Sequence, residues 1–548
     1  MVTFSQKNLQ KLLLGLAILA FAALLGIIFQ KASAYSETLL LPYYALRTLL
    51  RLGITYIICL AFGLGVGILA ATKERVGNLL IPLLDILQSV PVLGFFPLAL
   101  AVIINTFHGN TFGLELASMF LLFTSMEWSI VFGVIAGIKS MPSYLKDMSQ
   151  VFHIEGWDYL KHILFPSIYP FVIAGSILAW GSGWYFVIVT EFINYGNKTY
   201  SLPGLGYYLQ TASFRYGSVW MSLAGLATIG IIVFLMNRLI WHRLNERAKE
   251  HRFLLFHGFT PRESTGQGFW ARQVNYINSR LDAVQGVHLP SWFLLRFRIR
   301  RLNYFLVALG LLIVIVGVFY GWIRLPITSL DLEHLARDAG YSVSRLAIAY
   351  FISLALAIAV GYLILQRPAT KNAIVIFTDV AQSIPALAYF PLLWLIFTRI
   401  FPVQTGLEIA AVLLMLTGML WYLIFNVIEA VEHWPKEVKD LSGLFSVRGT
   451  RYLRHMLIPA LLPALVTGSI LAWGGGWNAT IVSEYVTIGN KVHTIHGLGS
   501  ALDEASQAGN THQLVVILVV MSTIVIAMNS LIWRRLLSRA STHVLEEE

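Results

Sequence analysis

Long apolar runs separated by short polar loops recur along the whole chain, and each run of about 18 to 25 residues is long enough to cross the hydrocarbon layer as a helix. Twelve such segments are expected, at about 12–29, 49–71, 79–104, 113–138, 167–193, 221–241, 303–322, 343–365, 373–399, 407–431, 460–487 and 513–534. The pattern predicts an all-α polytopic membrane protein. The first run follows Lys7 and Lys11. It is long for the core of a signal peptide, and only a weak cleavage sequence follows it, so it is read as the first spanning helix.

The twelve segments fall into two sets of six, and the sets are copies. Gln88-Ser89-Val90-Pro91 through Phe96-Pro97 recurs 294 residues later as Gln382-Ser383-Ile384-Pro385 through Phe390-Pro391. Arg51 and Tyr56 recur at the same offset as Arg345 and Tyr350. After a single-residue deletion the register continues at 293. It pairs Trp180, Trp184, Glu191 and Gly204-Leu205-Gly206 with Trp473, Trp477, Glu484 and Gly497-Leu498-Gly499. A register held this long means two parallel six-helix repeats, with a translocation path expected between them. The expected division is a first transmembrane domain over 1–241, a basic linker over 242–301 and a second transmembrane domain over 302–548.

Composition agrees with the pattern. Of 548 residues, 57% are hydrophobic and 12% charged, half the charge of an ordinary soluble domain. The formal net charge of +11 would raise the question of nucleic acid in a soluble protein. Here the basic residues gather in the linker and in loops that all fall on one face, which positive-inside logic makes cytoplasmic, together with both termini. The only cysteine, Cys59, lies inside a span, so neither a disulfide framework nor a cysteine metal site is available. No phosphate-binding Gly-x-x-x-x-Gly-Lys-Ser/Thr loop occurs, and the histidines lack metal-ligand spacing, so the chain is not expected to be an enzyme or to bind a cofactor or metal itself.

The loop after the fourth span of each half, 139–165 and 432–458, is long, mixed in charge and expected to contain a helix. Pro142 and Pro435 stand near its start, and Pro166 and Pro459 open the next span. Here the chain resembles the permeases of binding-protein-dependent ABC importers. In that family this loop carries Glu-Ala-Ala, a Gly six residues after the Glu and a Leu-Pro thirteen residues after the Gly. Counted back from the prolines, the Glu falls on Asp147 and Asp440, the Gly on His153 and Ser446, and the Leu-Pro on Phe165-Pro166 and Ile458-Pro459. The acidic residue and the proline persist while the Gly does not. The resemblance makes each loop an ATPase-coupling element built on Asp147, Phe152, His153, Gly156 and Pro166, and on Asp440, Phe445, Ser446, Gly449 and Pro459; an ordinary amphipathic loop helix is the competing reading.

Other features resemble one branch of the family, the permeases for nitrate, sulfonates, taurine and bicarbonate. The third span of that branch carries a Pro, apolar and aromatic residues, then Pro-Leu, as in 91–98 and 385–392. Its fifth span carries a Trp and an outer Glu before a Gly-Leu-Gly turn. The resemblance implies a type I importer fold, a small solute such as one of those anions, and a bacterial inner-membrane location. It also implies two cytoplasmic ATPase subunits that bind ATP and Mg, and a periplasmic or lipid-anchored solute-binding protein. Candidates for the path are Gln88, Ser89, Pro91, Pro97, Trp180, Trp184 and Glu191, with Gln382, Ser383, Pro385, Pro391, Trp473, Trp477 and Glu484. Paired prolines suit a cavity-lining helix but also a packing kink, and Glu191 and Glu484 are placed either to pair with Arg51 and Arg345 or to anchor the membrane interface. A secondary transporter of two parallel bundles is the alternative. Against it, few spans carry the buried acids that coupling ions need.

Overall fold

In each half a long helix leads, and the next long helices pack along it. The structure is a computed structural model that describes residues 20, 22–89, 92–195, 198–255, 332–432, 449–488, 491–533 and 535–536. In the first half, α1 (Leu41–Thr72), α4 (Thr111–Lys139) and α6 (Phe165–Thr190) form the central bundle, with α2 (Glu74–Ser89), α3 (Val92–Phe107), α5 (Ser143–Val151), α7 (Leu205–Gln210) and α8 (Val219–Met236) around it. The second half repeats this with α9 (Leu332–Gln366), α12 (Val403–Glu432) and α13 (Ile458–Ser483) at its centre. Around these lie α10 (Lys371–Ser383), α11 (Ala386–Ile400), α14 (Leu498–Gln507) and α15 (Thr511–Met528).

Eight helices among the described residues are long and apolar enough to cross a membrane, so eight of the twelve expected spans stand as long single helices. The third segment of the second half is broken in two. There Ile384 is extended (φ −88°, ψ 123°) and Pro385 caps α11, so the chain leaves α10 and starts again. In the first half the described part of α2 ends at Ser89 and that of α3 begins at Val92. The residue before a proline is driven out of the helical region, while proline itself suits a helix start, so Pro385 restarts the helix instead of kinking it. Segment 12–29 is described only at its end, where a short apolar helix covers Ala22–Ala32, and segment 303–322 lies outside the described residues. The linker is described only as far as the helix His242–Leu255, which continues from α8 through a π-helical turn, Asn237–Trp241.

Two features were not expected. A β-hairpin follows α6, with β1 (Phe192–Tyr195) antiparallel to β2 (Lys198–Ser201), and a matching hairpin of β3 (Tyr485–Ile488) and β4 (Lys491–Thr494) follows α13. The fold remains helical, and the hairpins cover the ends of the fifth spans. Each fifth span is entered through a π-helical turn, Leu160–Leu164 or Leu453–Leu457, just before Pro166 or Pro459. A proline offers no N–H to close the preceding turn, and the wider turn absorbs that loss.

The halves interlock through their third segments. The piece α3 packs on α4 of its own half and reaches across to α13, α14 and α15, while α11 packs on α12 and reaches across to α6 and α8. Arg399 of α11 donates to the carbonyl of Gly217 at 2.6 Å, and Phe214 meets the ring of Trp394 edge-on at 5.1 Å.

Candidate functional site

One charged cluster sits at the hairpin end of each half. In the first half Arg51, in α1, reaches two carboxylates. Its Nε and Nη2 donate to Glu115 at 2.8 and 3.0 Å in a forked geometry, and its Nη1 donates to Glu191. Arg47 adds a further bond to Glu115 at 2.6 Å. Glu191 is fully buried and also accepts from Thr48 Oγ1 at 2.6 Å and from the Gly206 backbone N–H at 2.6 Å. The second half rebuilds the arrangement: Arg345 forks onto Glu408 at 2.5 and 2.8 Å and donates to Glu484 at 3.0 Å. Glu484 accepts from Ser342 at 2.7 Å and from the Gly499 N–H at 2.7 Å. Every carboxylate lone pair used here meets a donor, which is what permits these charges to be buried.

The Gly-Leu-Gly turn exists to make this contact. A Cβ on Gly204 would stand 2.1 Å from the Glu191 carboxyl carbon, and one on Gly497 would stand 2.1 Å from a Glu484 oxygen. Without side chains, the turn lies flat on the carboxylate and Gly206 or Gly499 donates to it. The expected pairing of Glu191 with Arg51 and of Glu484 with Arg345 is therefore present. Glu115 and Glu408 were missed, although Gly113-Leu114-Glu115 repeats as Gly406-Leu407-Glu408 in the same 293 register.

Between the halves, next to the hairpins, lies a cavity of about 70 Å³. Pro97 lines it beside Phe96, and Phe390, the equivalent of Phe96, faces them from α11. Of the other path candidates, Pro391 is buried in α11, Gln88 and Ser89 end α2, and Gln382 and Ser383 end α10. Pro385 caps α11, and Pro91 lies outside the described residues. Trp180 and Trp473 sit within the bundles. Trp180 packs on Tyr56 and Trp241 at 5.7 and 5.9 Å between centroids, and Trp473 on Tyr350 and Trp533 at 5.6 and 5.9 Å. Trp184 and Trp477 are buried close by in the same helices, with indole N–H groups that have no partner among the described residues. None of these four tryptophans lines the cavity.

At the far end of the bundle, Asp147 lies on α5 and Phe152 caps it with two-thirds of its surface exposed. Val151 and Trp157 are equally open. His153, where the family motif has Gly, adopts φ +49°, a left-handed conformation that glycine takes without strain and other residues rarely adopt. Gly156 follows at φ +61° and Gly449 repeats it at +63°. Pro166 and Pro459 open α6 and α13 within their first turns. Asp440, Phe445 and Ser446 lie outside the described residues. Among the described residues no group of three or more His, Cys, Asp or Glu could hold a metal ion.

Several known permeases are similar to this chain. The nitrate import permease protein NrtB of Synechococcus elongatus is 26% identical over 197 residues, 36% of this chain and 66% of the relative. The bicarbonate transport system permease protein CmpB of the same organism is 23% identical over 198 residues, again 36% and 66%. The taurine transport system permease protein TauC of Escherichia coli is 25% identical over 212 residues, 38% and 69%. The chain thus spans just under two-thirds of the length of the cyanobacterial relatives. The family described as binding-protein-dependent transport system inner membrane component matches twice, over residues 63–246 and 349–542, one match in each structural repeat and together more than half of the sequence. The chain is a duplicated member of that family.

Proposed function

We propose that this chain is the permease of an ATP-binding-cassette importer, two fused halves that do the work of a permease dimer. Each half crosses the bacterial inner membrane six times, the third segment counting as one crossing, with both termini in the cytoplasm. The partners are two cytoplasmic ATPase subunits, which bind ATP and Mg, and a solute-binding protein on the opposite face. Relatives named for nitrate, bicarbonate and taurine support a small solute with an anionic group.

The observation that carries this reading is the open apolar surface of the first loop. Val151 and Phe152, at the end of α5, are 71% and 66% exposed, and Trp157, in the first turn of the helix that runs from Gly156 into α6, is 69% exposed. Apolar groups of this size left open next to polar ones mark a binding surface, and a central aromatic anchor carries much of the energy of such a contact. The continuous helix from Gly156 to Thr190 then passes movement of a docked ATPase to the cavity wall, because Val189 lines the cavity.

Phe152→Ala together with Phe445→Ala tests the docking. Loss of an anchor of this kind costs about 2 kcal/mol or more, roughly a thirtyfold loss of affinity. The ATPase subunits should no longer co-purify with the membrane-inserted permease. Retention of the ATPases with uptake at the normal rate would refute the assignment.

A further inference from the structure

The cavity between the halves lies on their pseudo-twofold axis. Val189 and Val482 face it from equivalent positions, as do Phe192 and Tyr485, and Phe96 and Phe390. One equivalent pair breaks the symmetry: Gln210 of the first half corresponds to Asp503 of the second, and both line the cavity. Asp503 is 96% buried by accessible area, given its 4% exposure. Its Oδ2 accepts from Gln507 at 2.5 Å, and among the described residues no cation stands within ion-pair distance of it. Every other lining group is apolar, aromatic or neutral.

A carboxylate taken out of water without a counter-charge is costly, and a site that retains one is set up for a ligand that supplies the charge. The walls fit the same ligand, because aromatic faces such as Phe96, Phe192, Phe390 and Tyr485 attract cations. The volume suits a group of a few heavy atoms. We propose that this cavity receives a primary ammonium group of the transported solute, with the Asp503 carboxylate as its charged acceptor and the Gln210 carboxamide oxygen as a second acceptor. This deepens the importer reading and rests on it. Solutes that are anions only meet a like charge and are disfavoured, whereas a solute that carries an ammonium as well as an anionic group enters with the ammonium towards Asp503.

The test uses the purified full-length chain in lipid nanodiscs and follows its thermal unfolding midpoint against four probes: taurine, ethanolamine, ethanesulfonate and nitrate. The two ammonium compounds should raise the midpoint, and ethanesulfonate and nitrate should not. Asp503→Asn keeps a hydrogen-bonding partner for Gln507 but removes the charge, so it should raise the concentration of ammonium probe needed for half the effect at least tenfold. Gln210→Asp, a second variant independent of how well the first one folds, should lower it. Equal response to ethanesulfonate, no response to any probe, or an unchanged response in both variants overturns the proposal. Association with the ATPases is measured on the same preparations. Its loss in the wild-type chain would count against the importer reading, while its retention without probe binding would count against the ammonium site alone.

Discussion

Arg51 divides one guanidinium between Glu115 and Glu191, and that sharing sets the order in which substitutions hurt. Removing Glu191 leaves Arg51 still forked onto Glu115, whereas removing Arg51 strands a fully buried carboxylate beside a half-open one. Breaking a buried pair from one side costs about 3–5 kcal/mol. Arg51→Leu should therefore lower the unfolding midpoint in detergent more than Glu191→Leu does, and the double variant should recover part of the loss through a coupling of about 0.5–3 kcal/mol. Additive effects would show that the two groups act separately. Asp503 supplies a pH signature outside the spans. Burial is the main influence and pushes its carboxyl up to about 7; the Gln507 bond opposes this and the neighbouring Glu504 charge adds to it, while Tyr485 is the ionisable group facing it from β3. Because the folded value lies above the unfolded one, its stabilising contribution is complete below about pH 4 and is lost as pH rises through about 7. Unliganded wild-type protein should lose stability over that window, and Asp503→Asn should lose less. Arg51, Arg345, Glu191 and Glu484 were legible as residues because they repeat and because charges at span ends demand partners. Glu115 and Glu408 repeat just as well, but as acids near the starts of apolar spans they resemble ordinary interfacial residues, and only the fork onto arginine reveals their role.

At the scale of elements, the long helices were readable and their interruptions were not. Apolar residues continue on both sides of Pro385, so hydropathy joins α10 to α11 into one span, although the backbone restarts at the proline. The hairpins were hidden in the same way. Segment 167–193 ran on past Thr190 because Phe192 and Ile193 are apolar, yet the Gly196-Asn197 pair that follows is a turn signal, and Gly489-Asn490 repeats it. The Gly-Leu-Gly turn was noticed for its recurrence, and its cause is the buried carboxylate underneath. Gly204→Ala places a methyl group on Glu191, and Gly497→Ala places one on Glu484. Each should force the turn off its carboxylate, remove the Gly206 or Gly499 hydrogen bond and destabilise the protein by about 1–3 kcal/mol, read from the unfolding midpoint. Leu205→Ala, one residue along, fills no such gap and should keep the turn in place, so an equal pattern of hydrogen exchange at Gly206 in both variants would contradict this account.

Across the whole molecule, the duplication places two matching halves in one chain. Each half lends a helix to the other, α3 to α13, α14 and α15, and α11 to α6 and α8, and the cavity forms only where both are present. The two-copy architecture was plain in the sequence because one register runs through nearly all of it. The crossing of α3 and α11 was not, since hydropathy says which segments are apolar but not which apolar surface they meet. Because that interface, and not the linker, is expected to hold the halves together, a chain cut between Gly266 and Gly268 with both pieces co-expressed should still purify as a one-to-one complex. Separation of the pieces would assign the assembly to the linker. The same logic fixes the number of ATPases. On the proposed function, the two loops of one chain call for two ATPase subunits and no second permease, and the mass of the intact assembly, purified from membranes with its ATPases and measured under native conditions, tests this most directly. The account predicts one permease chain with two ATPase subunits, reduced to the bare permease by Phe152→Ala with Phe445→Ala; a permease that carries no ATPase, or one that must pair with a second permease chain to hold two, would contradict it.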